Sequence, residues 1–180
     1  MKVRRILVLG SPGVGKTTIS RLLSNRLRIP YISLDDEYWQ ADWERPSCQE
    51  WSKTLKAITE RSSWVIDGNH ARTLTVRASR AEVAVIVSAP ALLCCYRILY
   101  RVVRIRRGEY SLAPKRVAAQ LEVGVKTSAS KDLFELLVLA LRFQKKTLPE
   151  VLGVLADSGV RIVRVTYKTS DQEIERLLRG

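Results

Sequence analysis

Histidine occurs once in the 180 residues, at His70, and cysteine three times, at Cys48, Cys94 and Cys95. Adjacent cysteines do not have metal-ligand spacing and there is a single imidazole, so no structural zinc site is expected. Three is also an odd number for a disulfide framework, and a reducing cytosol fits best. Long apolar runs are missing too. The most apolar stretch, Leu133 to Phe143, has 11 residues. That is too short to span a bilayer, so no membrane role is expected and the stretch reads as a buried helix. The opening Met1 to Ile6 lacks the longer apolar core of a signal peptide. Internal repeats, low-complexity tracts and domain-scale linkers are absent. Residues 1–180 therefore read as one domain.

Acidic residues are the other scarce class, with 18 Asp and Glu against 31 Lys and Arg, a net charge of +13. Such an excess suits polyanionic partners: nucleotide phosphates, or nucleic acid through a basic surface. Between Ala91 and Lys131 nine basic residues face only Glu109 and Glu122. A basic helix leading into a loop could carry such residues over a bound nucleotide, so the region of about 91–131 reads as lid-like.

What is present is a phosphate cradle. Gly10-Ser11-Pro12-Gly13-Val14-Gly15-Lys16-Thr17 is a full match to G-x-x-x-x-G-K-[ST], and Thr18 follows in the same turn. Glycines let the backbone curl so that successive N–H groups point at phosphate oxygens. The N-terminus of the next helix adds positive potential. Lys16 is expected to reach the β- and γ-phosphates of ATP or GTP, and the Thr17 hydroxyl to ligate Mg²⁺.

Around this motif the chain alternates strand and helix. Ile6 to Leu9 is continuously apolar, as a strand buried on both faces is. Ile19, Leu22, Leu23 and Leu27 give a helix from about Lys16 to Leu27. Tyr31 to Leu34 reads as strand two and Asp35 to Pro46 as a loop. Ser47 and Glu50 form a capping-box pattern opening a helix to about Arg61. Strands follow at Trp64–Ile66, Val83–Val87 and Arg161–Thr166, the last interrupted by arginines and so nearer an edge. Helices are expected over Ala91–Arg107, Lys115–Lys126, Lys131–Lys146, from Pro149 to Ser158-Gly159, and from Ser170 or Asp171 to Leu178. The order predicts an α/β fold, an open parallel sheet with helices on both faces.

Ligands of such sheets sit at the carboxyl ends of the strands. Asp67 ends the third strand there and is the expected magnesium carboxylate; capping the turn at Gly68 is the plainer reading. Asp35 and Asp36 end strand two at the same edge. Asp35 is a candidate to orient an acceptor hydroxyl, act as base or hold a magnesium water. Arg97, Arg101 and Arg104 share one helix face, and Arg101 and Arg104 are candidates to stabilise a transferring phosphoryl group. A solvated face or nucleic-acid phosphate contact would use the same residues. His70 has no evident partner in the sequence and reads as structural or solvent-facing. Trp39 and Trp43 flank a loop near Asp35; Trp51 and Trp64 read as core.

Several segments together resemble a known family. They are Gly10 to Thr18, Leu34-Asp35 with Trp39 and Trp43, Trp64-Val65-Ile66-Asp67-Gly68-Asn69, and Cys94-x-Tyr96-Arg97. In this order and spacing they resemble the FlaR-like, or DNA topology modulation, proteins, relatives of adenylate kinase. The resemblance implies a nucleoside-monophosphate-kinase fold with a five-stranded parallel sheet in the order 2-3-1-4-5. It also implies that Asp67 and Gly68 lie by magnesium and the acceptor, and that an arginine-bearing lid falls at about Arg101 to Arg107. Asn69 and His70 stand where those kinases often carry a phosphate-binding arginine, leaving Arg72 or Arg77 for that role. The function expected is transfer of the γ-phosphate of ATP to a small-molecule acceptor, a nucleoside monophosphate or an alcohol. The alternatives are a nucleotide-dependent DNA-binding regulator and an NTPase without a small acceptor.

Overall fold

The computed structural model describes residues 3–39, 44–122 and 131–179. Trp43 and Lys126, named above, lie outside them. Five strands, β1 (Arg5–Gly10), β2 (Tyr31–Ser33), β3 (Trp64–Asp67), β4 (Val83–Ser88) and β5 (Arg161–Thr166), form one sheet in the order β2-β3-β1-β4-β5. Every pairing is parallel. This is the sheet order that the resemblance implied.

The strands need both faces covered, and their side chains alternate accordingly. Ile6 and Val8 of β1, with Val83, Val85 and Val87 of β4, pack into one core. That core also takes Leu23 of α1 (Lys16–Leu27), Cys94 and Ile98 of α5 (Ala91–Arg106), Ala140 of α7 (Lys131–Arg142) and Ile174 of α9 (Asp171–Arg179). Leu7 and Leu9 turn to the opposite core, against α3 (Cys48–Thr59), α4 (Leu74–Ala78) and α8 (Leu148–Asp157). Strand β5 is an edge. Its Arg164 and Thr166 are exposed while Val163 and Val165 are buried.

The local signals act as their chemistry requires. The Ser47 hydroxyl accepts from the Glu50 amide, and the Glu50 carboxylate accepts from the Ser47 amide, closing the capping box on α3. Ser170 caps α9 by accepting from the Glu173 amide.

Three expectations need correction. Leu34 does not extend β2, and Asp35 does not begin a loop: Leu34–Tyr38 is a short helix, α2. The Ser33 hydroxyl accepts from the Asp36 amide, and Asp35, Asp36 and Glu37 fill the first turn, where a helix favours negative charge. The stretch Leu133–Phe143 is not a buried helix. It lies half-exposed against α5, with Phe134 74% and Leu141 52% exposed. The helix expected to run to Lys146 widens into a π-type turn at Phe143–Thr147, where the Leu148 amide reaches back to the Phe143 carbonyl. Pro149, which has no N–H, stands just inside α8 and breaks the ordinary ladder there. Helix α6 is described over Lys115–Glu122, and the rest of the helix expected to run to Lys126 lies outside the described residues. Among the described residues no helix is long and apolar enough to cross a membrane.

Candidate active site

The turn from β1 into α1 holds Gly10 to Thr18 at the carboxyl edge of the sheet. Gly13 has φ +75°, and a Cβ there would meet the Cys94 carbonyl oxygen of α5 at 2.4 Å. Only glycine lets the loop lie that close to the helix beneath. Arg97 of α5 supports the loop from the same side, its Nη1 donating to the Val14 carbonyl at 3.2 Å. Lys16 Nζ folds back onto the loop, donating to the carbonyls of Gly10 at 2.9 Å and Ser11 at 3.0 Å. Burial lowers the Lys16 pKa, Asp35 and Asp67 oppose that, and Arg101 reinforces it.

Asp67 closes β3 beside this loop with 4% exposure. The Thr17 hydroxyl donates to its Oδ2 at 3.0 Å and the Tyr31 hydroxyl at 3.1 Å. Burial pushes the carboxyl up to about 6; Lys16 and the two hydroxyls restrain the rise and Asp35 adds to it. The next residue but one is tied to the loop as well. Asn69 Nδ2 donates to the Gly10 carbonyl at 2.9 Å, and Asn69 Oδ1 accepts from the Gly10 amide at 3.3 Å.

Asp35, in the first turn of α2, couples by charge to Lys16. Its side chain is 60% exposed, and His70 Nε2 lies 3.2 Å from its Oδ1. Burial alone would raise its pKa; the His70 contact and the charges of His70, Lys16 and Arg101 hold it below the ordinary carboxylate value. The His70 ring packs against Tyr38, with centroids 4.6 Å apart, and against Trp51 at 5.5 Å. Asp36 faces the other way, accepting from the Lys115 amide at the start of α6 at 3.0 Å.

Lys16, Thr17, Asp35, Asp67 and the charge of Arg101 therefore come together beside the loop. Arg104 does not share the placement of Arg101: it pairs with Glu109 and covers the Tyr100 ring. The basic stripe thus divides among separate tasks and does not form one uniform surface. Arg77 is no phosphate ligand either, being wholly buried with its guanidinium on backbone carbonyls. His70, Asn69 and Tyr31 are neighbours of the site for which the sequence raised no such expectation. Asn69 follows the D-G turn directly, a usable signal; His70 finds its partner 35 residues away, which spacing cannot reveal.

The residues suit a magnesium nucleotide. Thr17 and Asp67 offer hard oxygens at the lip of the loop, and magnesium takes few protein ligands beside phosphate and water. Among the described residues no cluster of three or more His, Cys, Asp or Glu would hold a metal by itself.

Sheet order, loop and lysine define a P-loop kinase fold. More narrowly, it is the fold of the shikimate kinases. The structure of shikimate kinase from Acinetobacter baumannii in complex with shikimate matches 98% of this chain and 89% of its own, at TM-score 0.55 and 17% identity. Shikimate kinase from Aquifex aeolicus matches 98% of this chain and 96% of its own, at TM-score 0.53 and 18% identity. In sequence, a shikimate kinase of Clostridium beijerinckii is 30% identical over 79 residues, covering 34% of this chain. The chain spans about half, 47%, of that relative's length. No protein-family model matches the chain, and the likeness to FlaR-like proteins stays a resemblance.

Proposed function

We propose that the protein is an ATP-dependent phosphotransferase that moves the γ-phosphoryl group to a hydroxyl of a small molecule held between α2 and the turn after β3. The observation that carries this reading is Asp35. It is an exposed carboxylate, kept ionised, beside the P-loop lysine and held by His70. A hydroxyl donates to such a group, whereas a phosphate is repelled by it. That favours an alcohol over a nucleoside monophosphate as acceptor. The named activity of the shikimate kinases with this fold supports the same class of chemistry.

The loop amides and Lys16 would bind the phosphates, and Thr17 and Asp67 would hold Mg²⁺, which supplies charge neutralisation between the phosphates. Lys16 and Arg101 would stabilise charge on the transferring group. Asp35 would orient the acceptor hydroxyl and receive its proton, with His70 holding the carboxylate in place.

The test is ADP release from Mg·ATP with a panel of small alcohols, hydroxy acids and nucleoside monophosphates, with Lys16→Ala as the blank. Stimulation by a hydroxyl compound, lost in the variant, is the expected result. Stimulation only by nucleoside monophosphates, or by nothing, would count against the reading.

A further inference from the structure

We infer that Arg77 is a positioning residue, whose guanidinium holds the turn Gly68–His70 in the shape that sets both Asn69 against the nucleotide loop and His70 against Asp35. The role rests on the phosphotransferase reading above. Arg77 sits on α4 and is 0% exposed. Among the described residues it has no carboxylate partner. Its Nη1 donates to the Gly68 carbonyl at 3.0 Å, and its Nη2 to the carbonyls of Asn69 at 2.6 Å and His70 at 3.0 Å. Nε has no partner. A buried charge without a counterion is costly, and burial indeed lowers its pKa to about 9. Simple packing would be served better by an apolar side chain of the same volume.

What the charge accomplishes is visible in the turn. Three consecutive carbonyls converge on one planar fork, which a lysine cannot match. The turn is one that the chain does not favour unaided. Gly68 has φ +121°, where a Cβ would meet the Leu34 Cβ at 2.8 Å, and His70 has φ +25°. From this turn the Asn69 side chain makes its paired bonds to Gly10, and the His70 ring reaches Asp35. One buried cation thereby sets both Asn69 against the loop and His70 against Asp35. Asp67, immediately before the turn, keeps its own contacts to Thr17 and Tyr31.

The experiment compares wild type, Arg77→Met and Arg77→Lys. His70 is the only histidine, so its ring gives one Cε1–H signal by NMR, displaced by the facing rings of Tyr38 and Trp51. In Arg77→Met that signal is expected to lose its displacement. Acceptor kcat/KM should fall about 10²-fold, the cost of a misplacement near 1 Å, with KM for ATP little changed. Arg77→Lys, which keeps the charge but not the fork, should fall between. An unmoved His70 signal with wild-type kcat/KM in a folded Arg77→Met protein would overturn the inference. So would a variant altered only in melting temperature. If Arg77→Met does not fold, Arg77→Lys carries the same two readouts: a shifted signal with reduced kcat/KM supports the inference, and both unchanged overturn it. If the wild type transfers phosphate to no acceptor, the phosphotransferase reading fails by itself, and the His70 signal still decides whether Arg77 holds the turn.

Discussion

Replacing Asp67 by asparagine should make the protein more stable at neutral pH while disabling it. Asp67 has 4% exposure, and its carboxyl is pushed up to about 6 from an ordinary 3.8. Between those values the native state binds more protons than the unfolded state, so stability falls as pH rises from about 4 to about 6. Above that window the whole cost of holding the charge is present. At 1.36 kcal/mol per pKa unit it amounts to about 3 kcal/mol, already net of the attraction to Lys16. Asparagine does not titrate, and its oxygen can still accept from Thr17 and Tyr31. The variant should therefore gain up to about 3 kcal/mol at pH 7, roughly 6–12 °C in Tm for a chain of this size. The gain should vanish below pH 4. The assay is thermal unfolding of both proteins from pH 4 to 8 without nucleotide, repeated with Mg·ATP. Added Mg·ATP should stabilise the wild type more than the variant. A variant no more stable than wild type at pH 7, or a difference that does not change with pH, would refute the argument.

Asp35→Asn should lower acceptor kcat/KM by about 10²–10⁴-fold, the range for a positioned acid–base group, while ATP affinity measured by calorimetry stays as in the wild type. Gly13→Ala should destabilise the chain by about 1–3 kcal/mol, because its Cβ would press on the Cys94 carbonyl in a left-handed backbone; chemical denaturation measures this. Arg101→Ala should reduce kcat about 10²–10³-fold if its charge acts on the moving phosphoryl group. Arg104→Ala, whose parent side chain is taken up by Glu109, should leave kcat near wild type in the same steady-state assay.

The legible parts of this molecule are those written in neighbouring residues. Continuous apolarity in Ile6–Leu9 and Val83–Val87 marks strands covered on both faces, and the loop Gly10–Thr17 places the site at their carboxyl ends. The Ser47–Glu50 box is local and readable for that reason. The helix at Leu34–Tyr38 is hidden because Leu34 continues an apolar strand pattern, and its start depends on the Ser33 hydroxyl turning to the Asp36 amide. The length of the basic helix is clear from the sequence, but the fate of each arginine is not. Arg97 supports Val14, Arg104 meets Glu109, and Arg77, on another helix, is enclosed by carbonyls. Which long side chain meets which backbone group depends on packing between elements far apart in sequence. His70 is the sharpest case, since both its partner Asp35 and the rings around it come from other elements.

The central claim is that the terminal phosphate of ATP ends on a hydroxyl group. Incubating the protein with γ-labelled Mg·ATP and the panel of alcohols, hydroxy acids and nucleoside monophosphates, beside Lys16→Ala and Asp35→Asn, tests it directly. The account predicts label in an acid-stable small-molecule phosphate ester, formed by the wild type and nearly absent with either variant. Label found only in inorganic phosphate or in nucleoside diphosphates would contradict it.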